Sequence, residues 1–184
     1  MIYPIVVYGS PILRKVSVEI DRDFPQLQQL IDDMFETMEV SDGVGLAAPQ
    51  IGKSIRLFVI DASPMAEDDP SLLGFKKVFL NPRIVDETGE DWTFREGCLS
   101  LPLIREDVER PQNVRIQYYD RNFDFHDETY EGIKGRIIQH EYDHLEGVLF
   151  IDKITPLKRK LLRGKLADIT KGKTKVEYKT KIIR

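Results

Sequence analysis

The apolar positions along the chain change period several times, and each change marks an element. After a turn at Tyr8-Gly9-Ser10-Pro11, Leu13, Val16, Val18 and Ile20 suggest an extended N-terminal arm. From Asp23 the spacing becomes helical. Asp23 or Phe24 can cap and Pro25 suits a first turn, while Leu27, Leu30, Ile31, Met34, Phe35 and Met38 share one face of a helix of about four turns. The methionines on that face read as core filler, because an unbranched thioether adapts to irregular gaps. Residues 55–61 and 77–85 are rich in β-branched and aromatic side chains and predict buried strands; Trp92-Thr93-Phe94 opens a third after an Asp86-Glu87-Thr88-Gly89 turn.

Residues 114–119 and 122–125 alternate around Asp120-Arg121 as a hairpin should. A second helical stretch runs from about 132 to 146 and stops at Gly147, a residue suited to the left-handed position after a helix. Residues 148–151 predict a short strand, and Thr155-Pro156 starts a last helix carrying Leu157, Leu161, Leu162 and Leu166. This order predicts an α+β fold, with antiparallel or mixed sheets packed around the 132–146 helix and flanked by an N-terminal and a C-terminal helix. With no internal repeat, residues 1–184 read as one domain, the last part from about 168 being a basic tail.

Composition narrows the class. With 184 residues and 41% hydrophobic content, the chain can bury one proper core. A net charge of −4, with no long basic stretch interleaved with aromatics, argues against nucleic acid as substrate. The opening residues 1–8 are apolar but short, lack a cationic leader and are broken by Pro4, so neither a signal peptide nor a membrane span is expected, and a cytoplasmic enzyme is. Cys98 is the single cysteine; it excludes an intramolecular disulfide and leaves an inert core residue, a reactive thiol or a metal ligand. The acidic stretch 62–74 reads as a surface loop without assignable chemistry. The lysine-rich end, 171–184, reads as a solvated disordered tail in preference to a contact with ribosomal RNA.

Candidate chemistry centres on His140-Glu141-Tyr142-Asp143-His144, which holds two of the three histidines. Four residues apart on a helix, two side chains are neighbours with Cβ atoms roughly 5–6 Å apart, so His140 and His144 can turn their rings to one ion. Glu141 lies beside the ion rather than on it, where it can deprotonate a water that the ion activates. Ile133 and Ile137 continue the face, which points the histidines inward. A catalytic site of this kind needs a third protein ligand and one open position. The extended HExxHxxGxxH pattern places Gly147 correctly but Phe150 where the third histidine should be, and the only later glutamate, Glu177, lies in the lysine-rich end. His126, among acidic neighbours, reads as a solvated surface residue. Cys98, at a strand end beside an apolar sequence, is the better ligand, since thiolates bind borderline-soft ions strongly. In residues 41–52, Gly43 and Gly45 allow a backbone to approach a ligand closely and Gln50 offers an amide donor; no nucleotide-loop pattern follows, and a flexible connection without a ligand is the equal alternative.

Three segments together resemble the peptide deformylases, which remove the formyl group from the N-terminal methionine of new bacterial proteins: residues 43–50 match GxGxAAxQ, Glu96-Gly97-Cys98-Leu99-Ser100 matches EGCLS, and residues 139–144 match QHExDH. The resemblance extends weakly over residues 8–161. It implies Cys98, His140 and His144 as metal ligands, Glu141 as the acid–base group, and the Gln50 amide with the Leu99 backbone N–H as donors to the developing oxyanion. It implies a peptide lying extended along Val44, Gly45 and Gly97 and a methionine pocket of Val44, Ile133, Ile137 and His140, while Arg105 reads equally as a partner of the peptide's downstream end or as a surface charge. Family members characteristically use Fe2+, although the ligand set also suits Zn2+, Ni2+ or Co2+. The implied partners are N-formyl-methionyl nascent peptides; transient ribosome contact stays the lesser reading of the lysine-rich end. Glu96 and Asp143 are candidate partners of the histidine ring nitrogens, a plain salt bridge with one of the arginines being the equal alternative. A protease cutting internal bonds and a binding domain with a structural metal are the rival readings.

Overall fold

The computed structural model describes residues 1–183. Strand β1 (Ile5–Val6) leads into a 3-10 turn at Pro11–Arg14, so the expected extended arm is interrupted; beyond the turn, Val18 forms a single β-bridge with Ile55. Helix α1 (Leu27–Val40) starts after Pro25, preceded by Gln26 in the left-handed region with no side-chain cap. Its stability comes from packing. Leu27, Leu30, Ile31, Met34 and Met38 are buried against Leu46 of β2 (Gly45–Ala47) and against Leu57 and Val59 of β3 (Leu57–Asp61), each burial being worth roughly 1.5–3 kcal/mol.

Strands β2, β3, β4 (Lys76–Cys98), β5 (Leu101–Tyr119) and β6 (Phe125–Glu131) form one antiparallel sheet in chain order. The two segments expected as separate strands around an acidic turn are one strand of 23 residues. Register shifts between Leu80 and Arg83, Ile84 and Asp86, and Thr88 and Asp91 absorb the turn-forming residues, with Gly89 at φ 84°. Bulges bend a ribbon and sharpen its twist, and the bent β4–β5 pair reaches α2 (Gly132–Leu145), where Arg136 bonds Trp92, Glu96 and Val108. The β5–β6 turn is longer than expected, closed by a 3.0 Å bond from the Asp120 N–H to the Asp124 carbonyl, and β6 begins only at Phe125.

Helix α2 is the axis of the molecule, touching β2, β3, β5 and β6. Gly147 follows it at φ 71°, with the Arg14 carbonyl so close that an added Cβ would sit 2.6 Å from its oxygen. The segment expected as a strand after Gly147 is instead a 3-10 turn, Phe150–Asp152: the Asp152 carboxylate accepts from the Leu149 N–H at 2.9 Å and from Arg14 at 2.5 and 3.2 Å, curling the chain. The last helix is two, α3 (Pro156–Leu161) and α4 (Arg163–Thr170); Leu157 and Leu161 are exposed, and Leu162 and Leu166 enter the core.

The lysine-rich end is not a disordered tail. Residues 168–170 finish α4, and β7 (Thr180–Lys181) pairs in parallel with β1 through Ile5 opposite Thr180 and Val6 opposite Lys181. Its apolar residues explain the difference: Tyr178 packs on the α1 core and Ile182 against the cluster containing Leu101 and Phe150, while the lysines stay in water. Among the described residues no helix is long and apolar enough to cross a membrane.

Candidate active site

Cys98 closes β4 where the two-residue Leu99-Ser100 turn reverses the chain into β5. Gln50 comes from the 3-10 turn Ala48–Ile51 that follows β2, and His140, Glu141 and His144 project from α2. The fold brings these together. Cys98 Sγ lies 3.3 Å from His144 Nε2, the two imidazole centroids are 5.3 Å apart, and one donor atom from each of Cys98, His140 and His144 lies within 4.8 Å of the other two. A thiolate and two imidazoles converging from a strand end and a helix fit a divalent transition ion with a coordination position to spare. The side-chain orientation agrees: His140 Nδ1 is engaged by Glu96 Oε2 at 2.8 Å, which leaves Nε2 as the free ring nitrogen.

Glu96 anchors a buried charge cluster. Its Oε1 accepts from Arg110 Nε at 2.7 Å and from Arg136 Nη1 at 3.0 Å, and its Oε2 from Arg110 Nη2 at 3.0 Å. Arg110 also donates to Asp143 at 2.7 Å, so two arginines face two carboxylates in the interior. Burial would raise the Glu96 carboxyl, but the bonds from His140 and Arg110 outweigh it and hold it far below the usual carboxylate range. His144 is pushed down by its burial and then by the positive field of His140 and Arg110, which favours the neutral imidazole that metal ligation requires. For His140 burial acts downward, and the acceptors Cys98 and Glu96 reverse it.

Glu141 is enclosed, and burial lifts its carboxyl to about 7. Its Oε2 has no protein partner among the described residues. Gly45 makes room for this carboxylate, since an added Cβ would fall 2.4 Å from Glu141 Oε1. Gln50 is fixed at its carbonyl end by the Ala47 N–H at 2.8 Å, which aims Nε2 at Ser100 Oγ, 3.2 Å away, and at Cys98 Sγ, 3.5 Å away.

These groups floor a cleft of about 690 Å³ whose walls include Val44, Gly45, Gly97, Leu99, Arg105, Ile137 and His140. Ile133 is not among them; it packs on the core cluster with Ile137 and Phe75. His126 lies elsewhere, bonded to Asp120 at 3.0 Å and stacked on Tyr118. Asp143 serves Arg110 rather than a histidine. Sequence reading passed over Arg110 and Arg136, although Arg110 shares strand parity with buried Ile104 and Val108, and Arg136 stands one turn before His140. It also passed over Met65, in the loop held to lack chemistry, and Tyr178, in the supposed tail; both line the cleft, and only their apolar character against polar neighbours hinted at it.

A polypeptide deformylase family model matches residues 2–160. A peptide deformylase of Christiangramia forsetii is 52% identical, with 97% of this chain and 95% of the relative covered, and one of Salinibacter ruber is 42% identical, with 97% and 93% covered. Among solved structures, a peptide deformylase from Legionella pneumophila aligns with a TM-score of 0.81 at 40% identity, covering 93% of this chain and 96% of that one. A Plasmodium falciparum peptide deformylase in complex with an inhibitor aligns with a TM-score of 0.79 at 40% identity, covering 91% and 99%. With its Cys-His-His donor set and enclosed glutamate at the floor of a cleft, the chain belongs to the peptide deformylase family, metal-dependent hydrolases that remove the formyl group from the N-terminal formyl-methionine of nascent peptides.

Proposed function

We propose that the chain performs this hydrolysis with Cys98, His140 and His144 holding the ion, Glu141 moving the proton, and the Gln50 amide and Leu99 N–H steadying the oxyanion. The observation that carries the reading is the enclosed Glu141 carboxylate, with an unpartnered oxygen, beside three converging ligand atoms. When bound, a divalent ion supplies Lewis acidity toward water and toward the formyl oxygen. Glu141, with its carboxyl near 7, takes a proton from the attacking water and returns it to the departing amine nitrogen. As the formyl carbon becomes tetrahedral its oxygen gains charge, and Gln50 Nε2 and the Leu99 N–H donate to it.

The peptide lies along the Val44-Gly45 and Gly97 backbones by strand addition, which tolerates many sequences because main-chain bonds supply the binding. The methionine side chain enters between Val44, Ile137 and His140, and Arg105 meets the downstream chain. The ion we assign in the cell is Fe2+, on the resemblance to family members; the donor set accepts Zn2+, Ni2+ or Co2+ as well. The setting we infer is cytoplasmic, with the exposed lysines of residues 171–181 making a transient ribosome contact; unchanged co-sedimentation with ribosomes after charge reversal of Lys173, Lys175 and Lys179 would remove that contact.

The test is formate release from a formyl-Met peptide by anaerobically iron-loaded protein, with the unformylated twin as control. Wild type releases formate from the first only, and Glu141→Ala falls by about 10²–10⁴-fold while retaining the ion. Cleavage of the twin, or full turnover by Glu141→Ala, rejects the reading.

A further inference from the structure

The Leu99-Ser100 turn that follows Cys98 is held from outside at both of its carbonyls. The Ser100 carbonyl accepts from the Tyr8 N–H at 2.9 Å, and the Leu99 carbonyl accepts from the Tyr178 hydroxyl at 2.8 Å. Gln50 bonds the Ser100 hydroxyl between them. Residues 175–178 also form one wall of the cleft. Tyr178 is held in place in turn: its ring packs on the α1 core, and the β7–β1 pairing fixes the chain just beyond it.

A two-residue reversal has few internal bonds to fix its peptide planes, and a donor must stay within a few tenths of an ångström of its target to stabilise a transition state. The Leu99 N–H and carbonyl sit in the peptide planes on either side of its Cα, so with Cys98 held in the β4–β5 pairing on one side, pinning the carbonyl on the other limits how far the N–H plane can turn. We propose that Tyr178 is a positioning residue for catalysis, its hydroxyl aiming the Leu99 N–H through the Leu99 carbonyl, so that the C-terminal segment completes the active site. The inference rests on the oxyanion role given to Leu99 above.

The experiment compares wild type, Gln50→Ala, Tyr178→Phe and Tyr178→Leu, all loaded with the same ion, for kcat and KM on a formyl-Met peptide, metal content, Tm and the amide resonances of Leu99 and Ser100. Removing only the hydroxyl lowers kcat by roughly 3- to 10-fold, the range of one lost neutral hydrogen bond. KM, metal content and Tm stay near wild type, and the Leu99 and Ser100 amides shift or broaden. Wild-type kcat in Tyr178→Phe, or a change confined to KM, overturns the proposal; so does loss confined to Tyr178→Leu, which would make the ring's packing the whole effect. An inactive wild type, or a fully active Gln50→Ala, locates the failure in the proposed function and removes this inference with it.

Discussion

Glu96 holds the Nδ1 edge of His140 at 2.8 Å while its two oxygens also take three bonds from Arg110 and Arg136. One carboxylate thus orients a candidate ligand and, together with Asp143, balances the two buried arginines. The arrangement ties metal affinity to folding, because the group that sets the imidazole's direction cannot be removed without exposing uncompensated charge in the interior.

Glu96→Gln is therefore expected to lower metal affinity by about 10–100-fold and to cost about 3–5 kcal/mol in stability. Chelator competition and urea denaturation measure the two; wild-type values for both would mean that Glu96 is a bystander.

The same residue sets an acid limb. Its folded-state carboxyl titrates below its ordinary value of 4.5, so below that value the unfolded chain binds more protons than the folded one. The stabilisation is complete above it and is lost as pH falls. Between about pH 5 and 3, wild type should lose Tm more steeply than Glu96→Gln. Parallel curves would place the acid sensitivity in other groups.

Gly45→Ala puts a methyl group 2.4 Å from Glu141 Oε1, so the carboxylate must turn away. Turnover should drop by at least about tenfold, the effect of displacing a positioned acid–base group, while metal content is retained. Wild-type kcat would show that Glu141 has room to spare.

Gly147→Ala tests the end of α2, outside the cleft lining. A left-handed φ of 71° and a Cβ 2.6 Å from the Arg14 carbonyl both oppose it, and a loss of about 1–3 kcal/mol is expected in urea melts. A change below half of the lower figure would show that the Arg14 turn yields easily.

Sequence made the helices, the sheet strands and the gathering of Cys98, His140, Glu141 and His144 legible, because helical and strand periods are local and ligand chemistry restricts residue type. What it left out depends on tertiary neighbours. Acidic turn residues 86–89 became part of β4 because pairing with β5 outweighs their local preference and bulges absorb the excess. Residues 148–151 curled because Arg14 reaches Asp152 from far along the chain. Arg110 and Arg136 carried no signal of their own because only the fold brings Glu96 and Asp143 to them. The lysines of residues 171–181 masked Tyr178 and Ile182, whose burial needs partners from the first half of the chain.

The parallel pairing of Ile5–Val6 with Thr180–Lys181 has a consequence for how the molecule is made. A ribosome delivers Ile5 early and Thr180 after the other described elements, so β1 waits unpaired while they are made. A polypeptide interrupted after α4 can hold all three donor side chains and still lack one wall of its cleft. Lys175, Val176, Glu177 and Tyr178 line the cleft, so its wall is complete only once the segment beyond α4 has been made and has paired with β1.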